Sequence, residues 1–410
     1  MFRHLLRLNW NRRRVSQLVI IEIAAAFLVT FVVCALSLHA WGNYRRPLGF
    51  SYENIWRVTL SDEALTWMPN KPLPLAKPVE DILAAIRGVP GVLGAHSIEF
   101  TPFEGGASVG PLGRDGASIP TWENRLSAAA VADLGVRIVA GRNFGPEDEG
   151  QDYIAALVNR DFVAMAYGGA SPLGRRINFA TPQMLARMTP EQARQIREIR
   201  AVGVIDDFRQ NGEFMEKTPY AILLADPHDN DNLSLDLLVK VAPGTERRFE
   251  ERIVAAVRGA AVGFNATVTP WQELRASNHL EALLRLRIGA ILAVFLLAMV
   301  ALGLIGIVWL DVVRRTREMG LRRAAGASAG AVCGQILLEV LVIGSAAIVI
   351  GCVLAVQIPL LSIVPQIDWA AALPALGLSA LLILLLAAGA ALYPALLASG
   401  REPADALRYE

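Results

Sequence analysis

Few side chains between residues 42 and 283 are spaced for catalysis or metal binding. An acidic run at residues 226–232, DPHDNDN, lacks the spacing, the glycine and the final glutamate of a calcium loop, which indicates a solvated turn. The five histidines include no pair at i, i+4, which argues against zinc. Asp206 and Asp207 follow an apolar run, and paired carboxylates can do acid–base work. A turn at a strand end is the simpler interpretation, so no enzyme is indicated here.

Two motifs of enzyme active sites fail elsewhere in the chain. Residues 326–330, GASAG, have the spacing of a nucleophile elbow, which needs a preceding strand and a following helix. They lie between two apolar runs, where we interpret them as a flexible start to the second run. A P-loop needs Gly-Lys before Ser or Thr, and none of the four lysines follows a glycine. The sequence therefore predicts a non-catalytic chain that binds no metal or cofactor and cannot hydrolyse ATP by a P-loop.

Two carboxylates interrupt long apolar runs. Glu22 and Glu339 each fall about two helical turns into such a run. A charge at that depth is costly unless it is paired, protonated or close to water. For Glu339 two interpretations stay open: a contact within a helix bundle or with an arginine, or an interfacial carboxylate that reaches cytoplasmic water. Glu22 presents the same choice.

The apolar runs themselves predict membrane-spanning helices. The chain is 54% hydrophobic and 19% charged, which would be unusual for a soluble protein. About 20 apolar residues cross a bilayer core, and only a helix satisfies the backbone there. The predicted organisation is an amphipathic N-terminus at 1–14, spans at 15–41, 284–312, 331–361 and 370–399, a large domain at 42–283, a loop at 313–330, a short loop at 362–369 and a tail at 400–410.

Arginines set the predicted orientation. They precede the first span, crowd residues 314–323 and follow the fourth span, whereas the 362–369 loop has neither Lys nor Arg. The positive-inside rule then places both termini and the 313–330 loop in the cytoplasm, and the large domain outside. A cleaved signal peptide is the alternative for the N-terminus, but its apolar run is longer than a signal core. The net charge of +1 argues against a nucleic-acid partner.

The domain between spans one and two has a mixed pattern. Short apolar, β-branched runs predict strands, and apolar residues at helical spacing predict helices. The predicted strands are 55–60, 137–139, 155–158, 199–205, 220–224 and 235–241, and the predicted helices are 79–87, 181–197 and 246–257. The fold class expected is therefore four transmembrane α-helices plus a large α+β extracytoplasmic domain.

A family resemblance emerges at residues 314–328, RRTREMGLRRAAGAS, followed by ILLEV at 336–340. This pattern resembles the C-terminal permease domain of the FtsX/MacB superfamily, the membrane subunits of mechanotransmitting ABC transporters. The end of the chain, YPA at 393–395 and PADALRYE at 403–410, is similar as well. So are parts of the large domain to the MacB periplasmic core, at 81–92, 140–144, 158–159, 172–175 and 202–209.

The resemblance implies a coupling role for the 313–330 loop. Its implied contact residues with the ATPase are Arg317, Glu318, Met319, Gly320, Leu321, Arg322, Arg323, Ala324, Ala325 and Gly326. Arg322 and Arg323 are expected to pair with acidic residues of that partner; binding anionic lipid headgroups is the alternative. MacB carries its ATPase fused at the N-terminus, whereas about fourteen residues precede the first span here, so the resemblance implies separate ATPase subunits that hold ATP and Mg.

The function implied is a bacterial inner-membrane permease subunit, paired with an identical or related chain. It couples ATP hydrolysis to movement of a periplasmic domain that exports or extracts an outer-face substrate, with or without an adaptor or outer-membrane channel. The alternative is an FtsX-like regulatory scaffold that controls a cell-envelope enzyme without transport. A ligand-binding receptor is disfavoured because no signalling domain follows. A secondary transporter is disfavoured because no inverted repeat or broken helix is evident.

Overall fold

The computed structural model describes residues 13–62, 76–114, 117–178, 197–225 and 235–400. The chain forms two compact units, residues 1–42 with 283–410 and residues 43–282. Four predicted segments lie wholly or almost wholly outside the described residues, namely 1–14, 181–197, 226–232 and 400–410. The helices, in chain order, are α1 (Arg13–Tyr44), α2 (Ala76–Arg87), α3 (Ala128–Asp133), α4 (Arg160–Tyr167), α5 (Glu250–Ala260), α6 (Trp271–Arg314), α7 (Thr316–Ala324), α8 (Ala329–Leu360) and α9 (Trp369–Gly400).

Four of the described helices, α1, α6, α8 and α9, are long and apolar enough to cross a membrane. The chain is a membrane protein, and these helices confirm that part of the predicted class. Helix α6 differs from the prediction because it begins at Trp271, well before the span expected at 284–312. Its first turns carry several charged residues, so hydropathy detects only the apolar remainder.

Helices α1 and α8 approach each other closely at one glycine. Phe27 and Phe31 of α1 are fully buried in the helical core. Gly351 of α8 makes room for the first of these rings, because a Cβ there would lie 2.4 Å from Phe27 Cδ1. A side chain larger than hydrogen at position 351 would therefore force the two helices apart or displace the ring.

The second unit is α+β, as predicted, and contains two sheets. Its strands are β1 (Ile55–Asp62), β2 (Val92–Ser97), β3 (Ser108–Arg114), β4 (Ala117–Leu126), β5 (Ile138–Gly141), β6 (Tyr153–Asn159), β7 (Glu198–Ile205), β8 (Tyr220–Leu224), β9 (Asp236–Val241) and β10 (Phe264–Pro270). The first sheet is antiparallel with the order β10-β1-β9-β2. Its apolar face packs on α2 and α5 through residues such as Val58, Ile82 and Ile253.

The second sheet has six strands in the order β3-β4-β8-β6-β7-β5, with β4–β8 and β6–β7 parallel. Strand β6 is buried on both faces: Ala155 and Leu157 belong to one apolar cluster, Ala156 and Val158 to another. A strand covered on both sides reads as a continuous apolar run rather than an alternating one, which is why 155–158 was predictable.

The strands missing from the prediction are polar or rich in glycine. The six predicted strands match β1, β5, β6, β7, β8 and β9, with shifted ends. The helix predicted at 246–257 is a short 3-10 turn at Arg247–Phe249 followed by α5. Strands β2, β3, β4 and β10, and helices α3 and α4, were not predicted. Strand β3, SVGPLGR, contains two glycines and a proline, which strand-propensity reasoning excludes. Strand β10, FNATVTP, alternates apolar and polar residues and carried a usable signal.

Candidate functional site

The segment predicted as a loop at 313–330 contains a helix. Helix α6 ends at Arg314, Arg315 adopts a non-helical conformation, and α7 follows at once. The nine residues of α7, TREMGLRRA, lack a strong apolar stripe, so neither periodicity nor hydropathy indicated a helix. Met319 packs against the helical core and Gly320 is buried, which shows which side of α7 faces the bundle.

Helix α7 has a defined end and is separated from α8 by a tight turn. Gly326 has φ +98°, a left-handed conformation that favours glycine. The amides of Gly326 and Ala327 donate to the carbonyls of Arg323 and Arg322, 3.0 Å each, which is the Schellman pattern of a helix C-terminus. Ser328 then caps α8 by accepting from the Ala331 amide at 3.2 Å. This geometry corrects the interpretation of GASAG as a flexible start to the third span.

The predicted contact residues divide into a bundle side and an outer side. Met319 and Arg323 are half-buried and Gly320 is buried. The exposed members are Glu318, Leu321, Arg322, Ala324, Ala325 and Gly326, with Leu321 55% exposed. The side chain of Arg317 lies outside the described part of the structure. The outer side therefore presents one leucine beside three small residues.

Arg322 is engaged within the chain. Its Nη2 lies 2.6 Å from Glu318 Oε1, one turn earlier in α7, and its Nη1 donates to Gln335 Oε1 of α8. The Arg322 side chain is 46% exposed, so these bonds add little to stability, but they orient the guanidinium. The expectation that Arg322 pairs with acidic residues of a partner stays a prediction, and such a partner would compete with Glu318 and Gln335 for the guanidinium.

Glu339 is paired with an arginine that the predicted site omitted. Arg315 Nη1 lies 2.9 Å from Glu339 Oε2 and 3.2 Å from Oε1. Gln335 Nε2 donates to the same carboxylate at 3.1 Å, and Arg315 Nε lies 3.5 Å from Asp311 of α6. Of the two interpretations left open for Glu339, the geometry shows a contact with an arginine inside the bundle.

Glu22 occupies a different setting on α1. Its carboxylate is half-buried beside Gly303 of α6, where a Cβ would lie 3.2 Å from Glu22 Oε2. The absent side chain at position 303 leaves space for the carboxylate between the two helices. The structure does not bring Glu22 and Glu339 together in one cluster with the residues of α7.

Three members of the site were missed by sequence reasoning: Asp311, Arg315 and Gln335. Arg315 served in the sequence analysis as a topology signal and as part of the 314–328 pattern, without a partner assigned to it. Because a carboxylate deep in an apolar helix needs a partner, the arginines nearest in sequence were the natural candidates. Gln335 precedes Glu339 by one helical turn, a spacing that places both on one face.

The surface of α7 is the main feature of this site. Among the described residues no group of three His, Cys, Asp or Glu side chains is placed to hold a metal. What the arrangement offers is a short helix with an exposed apolar and small-residue surface, fixed to α8 by Arg322 and bordered by the Arg315–Glu339 pair.

Comparison with known proteins identifies this region. Residues 290–403 match the family model described as FtsX-like permease C-terminal, which confirms the resemblance seen at 314–340. No curated protein matches the chain.

Solved structures resemble the second unit by fold comparison. The periplasmic region of MacB from Actinobacillus actinomycetemcomitans has TM-score 0.38 at 11% identity, covering 56% of this chain and 94% of that one. The extracellular domain of YknZ, a noncanonic ABC-type transporter from Gram-positive bacteria, has TM-score 0.35 at 14% identity, covering 52% and 100%. A domain described as that of a permease protein from Porphyromonas gingivalis has TM-score 0.34 at 17% identity, covering 54% and 92%.

The match of the family model spans the last turns of α6, the whole of α7 and the two helices that follow. It thus includes every residue of the α7 site and its Arg315–Glu339 pair. Residues 290–403 of this membrane protein, which contain the whole α7 site, therefore match the FtsX-like permease C-terminal domain.

Proposed function

We propose that this chain is the permease subunit of a mechanotransmitting ABC transporter. Separate ATPase subunits, which hold ATP and Mg, dock on α7, and their closure moves the 43–282 unit. That unit lies on the outer side of the bacterial inner membrane and exports or extracts a substrate there. A second permease chain, identical or related, completes the pair, and an adaptor or outer-membrane channel is a further partner to seek.

The observation that carries this proposal is the outer surface of α7. Leu321 is 55% exposed, and Ala324, Ala325 and Gly326 beside it are exposed as well. The charged neighbours Glu318 and Arg322 satisfy one another and Gln335. A large exposed leucine surrounded by small residues forms an apolar surface that a partner protein can cover. The docking contact is therefore apolar at its centre and charged at its edge.

The arginine distribution supports the proposed orientation. Arg314, Arg315, Arg322 and Arg323 cluster around α7, and residues 362–369 between α8 and α9 contain no Lys or Arg. By the positive-inside rule α7 and both termini face the cytoplasm, which is where an ATPase can reach α7.

Co-purification tests the proposal. The full chain in detergent is used to capture ATPase subunits from the same cell under ATP-trapping conditions. Leu321→Glu is expected to abolish capture, because it places a charge at the apolar centre. Arg322→Glu/Arg323→Glu is expected to weaken it less. Leu361→Glu alters a leucine of similar exposure, 64%, next to the C-terminal end of α8 and serves as the matched control. If the wild type captures no ATPase, the proposal that separate ATPase subunits drive this permease is contradicted.

A further inference from the structure

The loop between β7 and β8, residues 206–219, makes contacts unlike those of an ordinary surface loop. We call it the clasp loop. Three of its polar side chains point inward and are nearly fully buried: Arg209 is 2% exposed, Gln210 0% and Glu213 5%. Buried polar groups must be hydrogen-bonded to offset their lost hydration. The partners of Arg209 and Glu213 therefore show which segments the loop holds.

Arg209 holds the chain where it enters the 43–282 unit. Its guanidinium donates to the carbonyls of Asn43 at 2.8 Å and Arg46 at 3.3 Å, and to those of Glu213 and Met215 within the clasp loop. Its backbone amide donates to Leu48 at 2.9 Å. Asn43 lies in the last turn of α1, where the helix dipole favours a cation. The clasp loop thus fixes residues 43–48 through one buried arginine.

The backbone of residues 43–50, the incoming segment, lies very close to the backbone of the clasp loop. Gly49 has φ +87°, and a Cβ there would lie 2.0 Å from the carbonyl oxygen of Asp207. Only glycine permits the two backbones to approach so closely. Phe50 then stacks near Phe208 at 4.7 Å between ring centroids.

Glu213 holds the chain where it leaves the same unit. Its Oε1 accepts from Arg275 Nε at 2.5 Å, and its Oε2 lies 2.7 Å from His279 Nε2. Both partners are on α6, four residues apart, so they lie on one face of the helix. Burial alone would raise the pKa of Glu213, but the hydrogen bonds from His279 and Arg275 outweigh it and hold that pKa below its usual value.

Aromatic contacts also join these parts of the chain. Tyr44 of the incoming segment lies 5.8 Å from Phe214 and 5.9 Å from His279, and the last two rings are 5.4 Å apart. One ring therefore comes from the incoming segment, one from the clasp loop and one from α6, and each ring contacts the other two.

We propose that the clasp loop joins the incoming segment (residues 43–50) and the outgoing segment (residues 271–279) into one mechanical unit. Arg209 grips the first and Glu213 grips the second. The two grips are coupled, because the carbonyl of Glu213 is itself a partner of Arg209. Loosening either grip loosens both segments, so the segments move together.

Hydrogen exchange of the full chain in nanodiscs tests this inference without nucleotide or an ATPase, so it stands or fails apart from the proposed function. Glu213→Gln keeps the shape of the side chain and removes its charge. We expect roughly tenfold faster exchange in residues 271–279 and also in residues 43–50, since each lost charged hydrogen bond is worth about that factor. Strand β1 is expected to keep its protection. Arg209→Lys, which cannot reach four carbonyls, is expected to accelerate exchange in the same two segments.

Asp206→Asn is the matched control. Asp206 belongs to the same loop but pairs with Arg137 and Arg160, which lie outside both segments. Both segments are expected to exchange as in the wild type. The inference is overturned if Glu213→Gln accelerates only residues 271–279 and Arg209→Lys only residues 43–50, because the loop would then make two independent contacts.

Discussion

Glu339 of α8 and Arg315, the residue between α6 and α7, form an ion pair with 2.9 Å between Oε2 and Nη1. Both side chains are less than one-fifth exposed. The pair connects the end of α6 to α8, because Arg315 also approaches Asp311 of α6 and Gln335 of α8 shares the Glu339 carboxylate.

Breaking this pair is expected to destabilise the helical unit. Glu339→Gln leaves the Arg315 guanidinium half-buried without its carboxylate, and we expect a loss of about 2 kcal/mol. Thermal unfolding of the purified chain in detergent measures it. Glu318→Gln, which alters an exposed pair with Arg322, should cost no more than about 0.5 kcal/mol. Equal losses in the two variants would contradict the structural role of the Arg315–Glu339 pair.

The packing of α1 on α8 is expected to tolerate nothing larger than glycine at position 351. Gly351→Ala places a methyl group where Phe27 Cδ1 lies, and overpacking of this kind costs about 1–3 kcal/mol. The same substitution at Gly377 meets nothing within 4 Å and is the control. Phe27→Leu is expected to relieve the clash in the Gly351→Ala background. Unfolding midpoints of the three variants decide the matter.

Glu123 is expected to make the 43–282 unit more stable in mild acid. Burial raises the pKa of this β4 carboxyl to about 7; nearby Arg125 opposes the shift and Glu99 adds to it. The folded chain therefore holds the proton more tightly than the unfolded chain, whose carboxyl titrates near 4.5. This contribution is fully present below pH 4.5 and is lost as the pH rises through 7.

Glu123→Gln removes that dependence. At pH 8 the variant is expected to be more stable than the wild type by on the order of 2 kcal/mol, and at pH 4.5 the two should be equal. Urea unfolding at both pH values measures the difference in stability, with hydrogen-exchange protection of β4 as the readout. Glu251→Gln on the exposed side of α5 is the control. A stability difference that does not change with pH would show that the pKa of Glu123 is the same in the folded and the unfolded chain.

Asp148 is expected to make the 43–282 unit less stable in acid, the opposite of the effect of Glu123. Its side chain is fully buried and accepts from Arg142 Nη2 at 2.9 Å, from the Gly145 amide at 3.0 Å and from the Tyr153 hydroxyl at 3.1 Å. The hydrogen bond from Arg142 is the main cause that holds the pKa of Asp148 below its usual value. Its contribution is present above pH 3.8 and is lost as the pH falls through the folded pKa.

Asp148→Asn is therefore expected to lose about 2 kcal/mol at pH 7 and progressively less in stronger acid. Unfolding of the full chain across that pH range is the measurement. Glu147→Gln alters a neighbouring, 57% exposed partner of the same arginine and should leave stability nearly unchanged.

The sequence predicted best those elements whose environment is uniform along their length. The apolar helices and the doubly covered strand β6 lie in one medium throughout, so composition alone identifies them. Helix α7 and strand β4 were missed because tertiary contacts stabilise them: Met319 and Gly320 pack on the bundle, and Asn124 is fully buried by bonding the backbone of Phe100. No local pattern encodes such partners.

The same reason explains why the two grips of the clasp loop were invisible in the sequence. Arg209 lies in the segment VGVIDDFR, whose two carboxylates and resemblance to the MacB periplasmic core say nothing about the arginine's partners. Its carbonyl partner at Asn43 is 166 residues away, and Glu213 is 66 residues from His279. Contacts at that separation follow from topology. By contrast, Gly326 and Ser328 end one helix and begin the next through purely local rules, and those two roles were within reach of the sequence.

The pairing of β1 with β10 sets the order in which the chain can be made and folded. Trp56 is aligned with Pro270, so the first strand of the 43–282 unit waits for the last one across 214 residues of synthesis. At ribosomal speed this interval is roughly 10–40 s. During it the edge of β1 that pairs with β10 has no partner strand, and unpaired strand edges favour aggregation. Biogenesis of this unit is therefore a late event, completed only when the amino end of α6 has been synthesised.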